Sequence, residues 1–284
     1  MPKRTGLTLV CAAVAAGTAM AASSPPPAEA AGVVLTPHRA IYDLRLLRTR
    51  GKKDIESVRG RILYDFSGSP CAGYALNFRQ VSELNSGENK TALSDLRATT
   101  WEEASAKRFR FSSENHIDDR TVDKVNGEAE RDADHVAVKL AQPKDKTFDL
   151  DHAMVFPTEH MRRIIEAAQQ GKNILELPVY DGSETGEKVY STMTLIGHEI
   201  APNEKVPTDA AAGQAALAGL KRWPVTISYF DRNTTARGEQ TPVYSISFEL
   251  YENGISRALA LDYEDFVIAG DMSQLEIKDP PPCK

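Results

Sequence analysis

Residues 244–263 read YSISFELYENGISRALALDY, and this stretch decides the fold class. Apolar and polar side chains alternate on both sides of Glu252-Asn253-Gly254. Strict alternation is typical of a β-strand that has one buried face and one solvated face. Asn-Gly accepts the positive φ angles of a tight hairpin turn. The stretch therefore predicts two antiparallel strands joined by a hairpin.

The same period of two continues through most of the chain. Alternating runs also occur around residues 42–46, 62–66, 74–78, 109–111, 136–140, 189–195, 225–229 and 275–277. Parallel strands covered by helices have continuous apolar runs instead, so the pattern favours antiparallel sheet. Further turns are predicted at Asn85-Ser86-Gly87 and Asn126-Gly127. Many short strands without the spacing of β-α-β units predict a barrel, a sandwich or one coiled sheet.

One amphipathic helix is predicted between Pro157 and Gly171. Thr158 is its predicted N-cap, and Gly171 is expected to end it. Its apolar stripe consists of Met161, Ile164, Ile165 and Ala168. A second candidate helix covers the Ala-rich residues 209–220, from Asp209 onward, but a flexible linker fits these residues equally well because they contain Gly213 and Gly219. The predicted fold is therefore mainly β, with one or two helices that cover the sheet.

The first 30 residues have the organisation of a secretory signal peptide. Lys3-Arg4 precede an apolar run, rich in Ala, Val and Leu, over residues 7–22. Ala28-Glu29-Ala30 offers a small-x-small cleavage site, and Ala19-Met20-Ala21 is a competing one. The apolar run is too short and too rich in Ala for a membrane span. We therefore predict a signal peptide over residues 1–30.

Cysteine usage gives the next prediction. Cleavage at either site removes Cys11 and leaves Cys71 and Cys283, one near each end of the mature chain. Two cysteines in an exported chain allow one intramolecular pairing. We predict a Cys71–Cys283 disulfide, formed in an oxidising compartment. The alternative is two free thiols in a reducing compartment.

The bulk composition limits the possible partners. The formal net charge is −6, and removal of Lys3, Arg4 and Glu29 with the signal peptide makes the mature chain slightly more acidic. This mild acidity argues against nucleic acid and against anionic membrane surfaces. No second stretch approaches about 18 apolar residues, so an integral membrane protein is not expected. About 250 residues without an internal repeat predict one soluble periplasmic domain over residues 31–284.

Histidines and carboxylates suggest a metal site at only one place. His152 and His160 lie near each other in sequence, with Asp151 and Glu159 beside them. A zinc site needs three or four ligands that converge tetrahedrally, usually with two at short helical or hairpin spacing. Pro157 separates the two histidines, so only one of them lies on the predicted helix. We expect no metal here, and we expect His160 to cap or pack against the first turn of the helix.

Other catalytic patterns are missing. No Ser stands in a Gly-x-Ser-x-Gly elbow, and Gly-rich phosphate loops and dinucleotide fingerprints are absent. Asp262, Glu264 and Asp265 form an acidic run on a predicted strand, where solvated charge is the expected role. Asp181-Gly182-Ser183 and Gly186 lack the alternating acidic ligands of a calcium loop, so they predict a turn. We therefore predict no catalytic residues and no cofactor.

Aromatic residues are few but stand at positions that suit an apolar interior. Seven of them could line such an interior: Trp101, Trp223, Tyr229, Phe230, Tyr244, Phe248 and Tyr263. Core packing is one interpretation of this set. The functional alternative is a cavity or groove in a curved sheet that holds an acyl chain or an apolar peptide segment. Alternation alone does not distinguish a filled interior from a cavity.

Several longer stretches carry a family resemblance. They are residues 37–44 (PHRAIYDL), 68–74 (GSPCAGY), 156–160 (FPTEH), 179–183 (VYDGS), 223–225 (WPV), 228–231 (SYFD), 248–254 (FELYENG) and 280–283 (PPPC). In these stretches the chain resembles the EipB family, periplasmic cell-envelope-integrity proteins of alphaproteobacteria that were long catalogued as a domain of unknown function. The likeness extends over nearly all of the mature chain. The Ala-rich residues after Asp209 depart from it.

The resemblance implies a fold and a role. The implied fold is a β-spiral, a long curved antiparallel sheet of about fourteen strands that resembles an open barrel, with a helix against it. It also implies a disulfide between the two family cysteines, which correspond to Cys71 and Cys283. No catalytic residues are recognised in the family. The implied role is maintenance of the cell envelope.

Three functional hypotheses follow. The first is a periplasmic, non-enzymatic protein that supports envelope integrity by binding or scaffolding envelope components. The alternative is a carrier whose concave apolar face holds a lipid or an acylated peptide. A third class, a hydrolase of envelope polymers, rests on the His, Asp and Glu content alone. Expected partners are periplasmic or outer-membrane envelope proteins, lipid or lipoprotein, and not nucleic acid.

Overall fold

The structure is a computed structural model of the full chain. It describes residues 32–50, 55–87, 90–202, 204–205, 207–232 and 240–283. The predicted signal peptide, residues 1–30, lies outside the described residues. Residues Val33–Lys284 form one compact unit. No helix in the described part of the chain is long and apolar enough to cross a bilayer.

Fourteen strands form one antiparallel sheet. In chain order the first eight are β1 His38–Thr49, β2 Ser57–Ser69, β3 Gly73–Asn85, β4 Thr91–Glu102, β5 Arg108–Ile117, β6 Arg120–Arg131, β7 His135–Gln142 and β8 Lys146–Asp151. The helix α1, Pro157–Gln169, follows. The remaining strands are β9 Ile174–Val179, β10 Tyr190–Ile196, β11 Arg222–Asp231, β12 Tyr244–Tyr251, β13 Ser256–Asp262 and β14 Phe266–Ile277. This open sheet with one helix confirms the predicted fold class.

The strand order explains how the sheet is built. Strands β1 to β8 pair in sequence order, and so do β9 to β14. The two halves meet where β1 pairs with β14, so the first and last strands lie in the middle of the sheet. The two edge strands, β8 and β9, are consecutive in the chain and are linked through α1. The sheet stays open, although Val155 forms an isolated bridge with Val179 beside the β9 edge.

The alternation places one apolar set of side chains on the inner face of the sheet. The main core contains inner-face residues of β1, β2 and β10–β14 together with Ile164, Ile165 and Ala168 of α1. A smaller core joins inner-face residues of β5–β7 to Phe156 and Tyr180. Burial of a large aliphatic side chain stabilises a fold by about 1.5–3 kcal/mol. The helix therefore holds to the sheet mainly through its apolar stripe.

A network of buried charges supports the segment between β10 and β11. Arg222 is only 1% exposed, and its Nε donates to Glu249 Oε2 over 2.7 Å. Arg257 also donates to Glu249, and its Nε donates to Asp209 Oδ2 over 2.8 Å. Each buried charge has an opposite partner, as buried ion pairs require. The network fixes Asp209 against the strands.

Several local predictions were wrong. The N-cap of α1 is Phe156 and not Thr158, because Pro157, which has no N–H to satisfy, occupies the first turn. Residues 209–220 form two short 3₁₀ turns, Ala210–Gly213 and Ala215–Leu217, because glycines interrupt a longer helix. Asn126-Gly127 lies inside β6 at a register shift against β7. A Cβ on Gly127 would lie 2.7 Å from the Phe111 ring, so close packing and not a turn requires this glycine.

The acidic run and two aromatic residues also differ from expectation. Asp262 ends β13, and Glu264 adopts a φ of 70° in the turn that leads to β14. Trp101 lies on the outer face, where Arg110 stacks on its ring at 5.3 Å. Phe230 follows the inward-facing Tyr229 on β11, so its side chain lies on the outer face of the sheet. The turn at Glu264 ends β13 early. Trp101 and Phe230 are strand neighbours of the inward-facing Glu102 and Tyr229, so the strand pleat directs both rings outward.

The predicted hairpin at Asn253-Gly254 is confirmed between β12 and β13, with Gly254 at φ 88°. Cys71 and Cys283 are joined by a disulfide with a Cα–Cα distance of 5.4 Å. The bond connects the turn between β2 and β3 to the tail that follows β14. Lys278, which follows β14, also forms an ion pair with Asp65 of β2. Two contacts therefore attach the segment after β14 to the hairpin of β2 and β3.

Replacing both Cys71 and Cys283 with Ser should lower the Tm by several degrees or more. The disulfide spans 212 residues of sequence, and the chain-entropy model assigns such a loop about 5 kcal/mol as an upper estimate. About 1 kcal/mol moves the Tm of a domain of this size by roughly 2–4 °C. Calorimetry of both proteins with and without reductant tests this: reductant should lower the Tm of the wild type only. Equal Tm values for wild type and variant would contradict the prediction.

Candidate functional site

The inner face of the sheet and α1 enclose two adjoining cavities. The first has a volume of about 200 Å³ and the second about 170 Å³. Four residues line both: His38, Tyr64, Met161 and Gly254. We call the two spaces together the inner cavity. It is near the lower end of the range of ligand-binding pockets, about 300–1,000 Å³.

The second space of the inner cavity is almost entirely apolar. Its walls come from β1, β2, β3, β12 and β13, and they include Tyr42, Ile62, Phe78, Ile246, Phe248, Leu259 and Leu261. These residues stand at alternate positions of their strands, so the period of two in the sequence directs them all to one face. Gln80 and Ser256 add two polar side chains to this wall. The Tyr42 hydroxyl is already used, since it donates to the Ser256 carbonyl over 2.8 Å.

The first space has more polar walls. Thr36, Thr100 and Thr158 line it together with Asp181 and His160. It lies under the first turns of α1, because Pro157, Thr158, His160, Met161 and Ile164 also line it. The inner cavity therefore has a polar end near α1 and an apolar end between the strands.

Both histidines in the walls are neutral. His38 Nδ1 lies 2.8 Å from the Thr36 carbonyl oxygen, and because a carbonyl only accepts, Nδ1 carries the hydrogen. Burial lowers the pKa of His38, and burial lowers the pKa of His160 to about 4. His160 Nε2 lies 3.4 Å from the Thr192 hydroxyl. A neutral imidazole offers one donor and one acceptor, so neither ring adds charge to the cavity.

Asp181 is the carboxylate of the inner cavity. It lies in the turn after β9, where its Oδ1 accepts a hydrogen bond from the Ser183 N–H over 2.9 Å. Burial raises the pKa of Asp181 above its usual value. The predicted turn at Asp181-Gly182-Ser183 is thus confirmed, and Gly182, at φ 67°, lets the chain pass closely over the Phe111 ring.

A row of aromatic rings runs along the same face from β10 across β11 and β12 to the turn after β13 and the start of β14. Neighbouring ring centroids lie 5.1–5.9 Å apart in the order Tyr190, Tyr229, Tyr244, Tyr263, Phe266. Such offset or tilted pairs add about 0.5–1.5 kcal/mol each beyond their burial. Tyr229 belongs to this row and also lines the first space, so the row stiffens the sheet beside that space.

The first turn of α1 is capped by a carboxylate from a distant strand. Glu102, at the end of β4, accepts the Thr158 N–H at Oε2 over 2.7 Å and the Glu159 N–H at Oε1 over 2.8 Å. Helix N-termini leave such N–H groups without intrahelical partners and favour negative charge. Even so, burial raises the pKa of Glu102 to about 7. Desolvation of the carboxylate outweighs its two hydrogen bonds.

Arg131 of β6 holds the same turn from the other side. Its Nη2 lies 3.0 Å from Glu159 Oε2, and its guanidinium stacks on the Phe156 ring at 4.8 Å. It also donates to the carbonyls of Ala106 and Met154. Glu159 receives a second ion pair, at 2.5 Å, from Arg163 on the next turn of the helix. Glu102 and Arg131 therefore position the helical wall of the inner cavity.

The structure does not bring together the residues that were weighed as a metal site. His152 is exposed in the turn after β8, whereas His160 is buried and Glu159 is paired with Arg131. Within the described ranges, no group of three or more His, Cys, Asp and Glu side chains is placed to hold a metal ion. The sequence interpretation missed Glu102. No local signal marks it, because only the fold brings the end of β4, paired with the buried Phe109, to the first turn of α1.

Comparison with known proteins agrees with this architecture. A family model described as EipB-like matches residues 29–279. The chain belongs to the EipB-like family. The matched region contains every strand of the sheet and Cys71, and it ends shortly before Cys283.

Two relatives in this family are informative. The cell envelope integrity protein EipB of Brucella abortus (strain 2308) is 38% identical over 274 residues, which cover 96% of this chain and 92% of the relative. A crystal structure from Brucella abortus, titled a β-barrel-like protein of a domain of unknown function, superimposes with a TM-score of 0.78 at 38% identity. It covers 86% of this chain and 99% of the solved chain. The EipB-like sheet is thus shared with an experimentally determined structure.

Replacing Glu102 with Gln should change how stability depends on pH. Because the pKa of Glu102 is about 7 in the folded state and near 4.5 when exposed, the folded protein holds the extra proton between these values. Raising the pH through this window therefore lowers the free energy of unfolding of the wild type by about 3 kcal/mol. The variant has no carboxyl group at this position and does not lose this stability. His160 acts in the opposite direction, since its low pKa removes stability as pH falls from 6.5 towards 4.

Urea unfolding of both proteins at pH 5 and pH 8 isolates the Glu102 contribution, because the His160 contribution is common to both and cancels in the difference. We expect the wild type to lose stability relative to Glu102→Gln between the two pH values. A difference that stays constant with pH would contradict the role assigned to Glu102.

Proposed function

We propose that the protein is exported to the periplasm and supports the integrity of the cell envelope without catalysing a reaction. We further propose that it acts by binding an apolar component of the envelope in the inner cavity. The observation that carries the binding part is the inner cavity itself, a partly enclosed space between α1 and the sheet whose second space has mainly apolar walls.

The envelope role is supported by the relative from Brucella abortus, whose name is cell envelope integrity protein EipB. The identity to that relative extends over nearly the whole of both chains. The sequence features of an export signal and the Cys71–Cys283 disulfide are consistent with an oxidising compartment outside the cytoplasm.

The walls of the inner cavity favour an apolar ligand. Each methylene group transferred from water to such a wall contributes about 0.8 kcal/mol. The wall residues Ile246, Leu259 and Leu261 belong to the described strands β12 and β13, and they face Ile62 and Phe78 across the second space. An acyl chain fits this arrangement better than a polar polymer does, because the histidines are neutral and the Tyr42 hydroxyl is already bonded. This is the carrier alternative of the sequence interpretation, now assigned to a specific space.

The hydrolase alternative has less support. Its candidate residues differ in environment, since His152 is exposed and His160 is buried behind Thr192. Asp181, the carboxylate of the inner cavity, accepts hydrogen bonds from the backbone and side chain of Ser183, and His152 does not line the cavity with it. The proposal is therefore a binding protein.

Binding can be tested with N-phenyl-1-naphthylamine, a neutral apolar dye that fluoresces in apolar sites. The variant Ile246→Trp places a larger side chain in the second space, and Leu63→Trp, on the outer face of β2, is the matched control. We expect the wild type and Leu63→Trp to bind the dye alike and Ile246→Trp to bind it about tenfold more weakly, as expected when about 1.4 kcal/mol of contact is lost. Thermal melts check that both variants fold. Equal binding by all three proteins, or none by the wild type, would contradict the proposal.

The cellular role is tested in the organism that carries the gene. A deletion strain should become more sensitive to detergents and to cell-wall antibiotics, because the envelope loses a supporting component. The wild-type gene and Leu63→Trp should restore resistance, whereas Ile246→Trp should restore it less well. An unchanged sensitivity profile in the deletion strain would count against the envelope role.

A further inference from the structure

The inner cavity is polar at one end and apolar at the other, and Asp181 is the charged group of the polar end. The Asp181 carboxylate accepts the Ser183 N–H at Oδ1, and the Ser183 side chain and the backbone N–H of Asp181 itself also contribute hydrogen bonds to it. A carboxylate can accept about four hydrogen bonds. The carboxylate therefore has acceptor capacity left for a donor on a molecule in the first space.

The charge of Asp181 is not balanced inside the cavity. Among the described residues that line the two spaces there is no Lys and no Arg. Burial is the main cause of the raised pKa values of Tyr180, Tyr190 and Tyr229, and a negative charge on Asp181 raises them further, so these rings lie within reach of that charge. Burial favours the neutral form of the other titratable groups in the walls: it lowers the pKa of His38 and His160 and raises the pKa of Tyr42, Tyr64 and Tyr229.

We infer that the inner cavity selects an acyl chain whose polar end is an N–H donor, an amide or an amine, and rejects chains that end in an anion. The chain would occupy the second space, and its N–H group would donate to Asp181 in the first. This inference rests on the proposed binding function and specifies the chemical class of its ligand.

The selectivity has a direct physical cause. Burial raises the pKa of Asp181, so the preference is strongest at a pH above that pKa, where a hydrogen bond to the ionised carboxylate is roughly twice as strong as one between neutral groups. A ligand that ends in a carboxylate or a phosphate would instead place a second negative charge beside Asp181 in a poorly solvated space, where like charges are strongly disfavoured. The hydroxyls of Thr36, Thr100 and Thr158 can donate or accept, so they do not reverse this preference.

Two probes of equal chain length test the inference: N-decanoylglycinamide, with a terminal amide, and N-decanoylglycine, with a terminal carboxylate. Their affinities are measured by isothermal titration on the full mature protein and on two variants. Asp181→Asn keeps a carbonyl oxygen that accepts from Ser183 and removes the charge. Asp149→Asn is the matched control, since its side chain is 67% exposed on β8 and does not line the cavity.

We expect the wild type and Asp149→Asn to bind the amide about tenfold more tightly than the carboxylate, a ratio typical of one hydrogen bond to a charged group. In Asp181→Asn the ratio should fall below about threefold, mainly because the carboxylate probe binds more tightly. Equal affinities for both probes in the wild type, or an unchanged ratio in Asp181→Asn, would overturn the inference and leave the apolar binding site intact. No binding of either probe by the wild type would overturn the proposed function and this inference together.

Discussion

Strand β1 is hydrogen-bonded to β2 on one side and to β14, the last strand of the chain, on the other. The whole architecture depends on this pairing, because it is the only place where the described strands of the two halves of the sheet meet. Its register extends from His38 opposite Ile277 to Thr49 opposite Phe266, with two irregularities that bend the strands. The disulfide and the Lys278–Asp65 ion pair hold the same region from outside the sheet.

The candidate site follows from that arrangement. With β1 and β14 in the middle, the two edges of the sheet are β8 and β9, and the chain must connect them through the segment that contains α1. The helix consequently lies over the inner face, where its stripe packs in the main core and its first turn covers the first space of the inner cavity. Glu102 and Arg131 come from strands of the N-terminal half and fix that turn. The contacts of Glu102 and Arg131 thus set both the position of the helix and the shape of the cavity.

Much of this fold could be predicted from the sequence, because the period of two is a local property of each strand. The runs that contain Tyr42, Ile62 and Phe248 identified their strands and faces correctly. The strand count of about fourteen came from the family resemblance and not from the alternation. The cap of α1 could not be predicted, since Glu102 lies 56 residues before Thr158 and only the tertiary fold brings them together. The inner cavity could not be predicted either, because alternation directs side chains inward without determining how far apart the facing walls lie.

The central position of the last strand has a consequence for how the molecule acquires its shape. A chain is made from its N-terminus, so the meander from β1 to β8 can assemble while β14 does not yet exist. During that interval one side of β1 presents a row of unsatisfied backbone groups, and exposed strand edges of this kind are sites of misassociation. Contacts between residues so distant in sequence also form slowly, since a long loop must close first. The protein therefore passes through an intermediate in which one edge of β1 is exposed, and the sheet is complete only when β14 pairs with that edge.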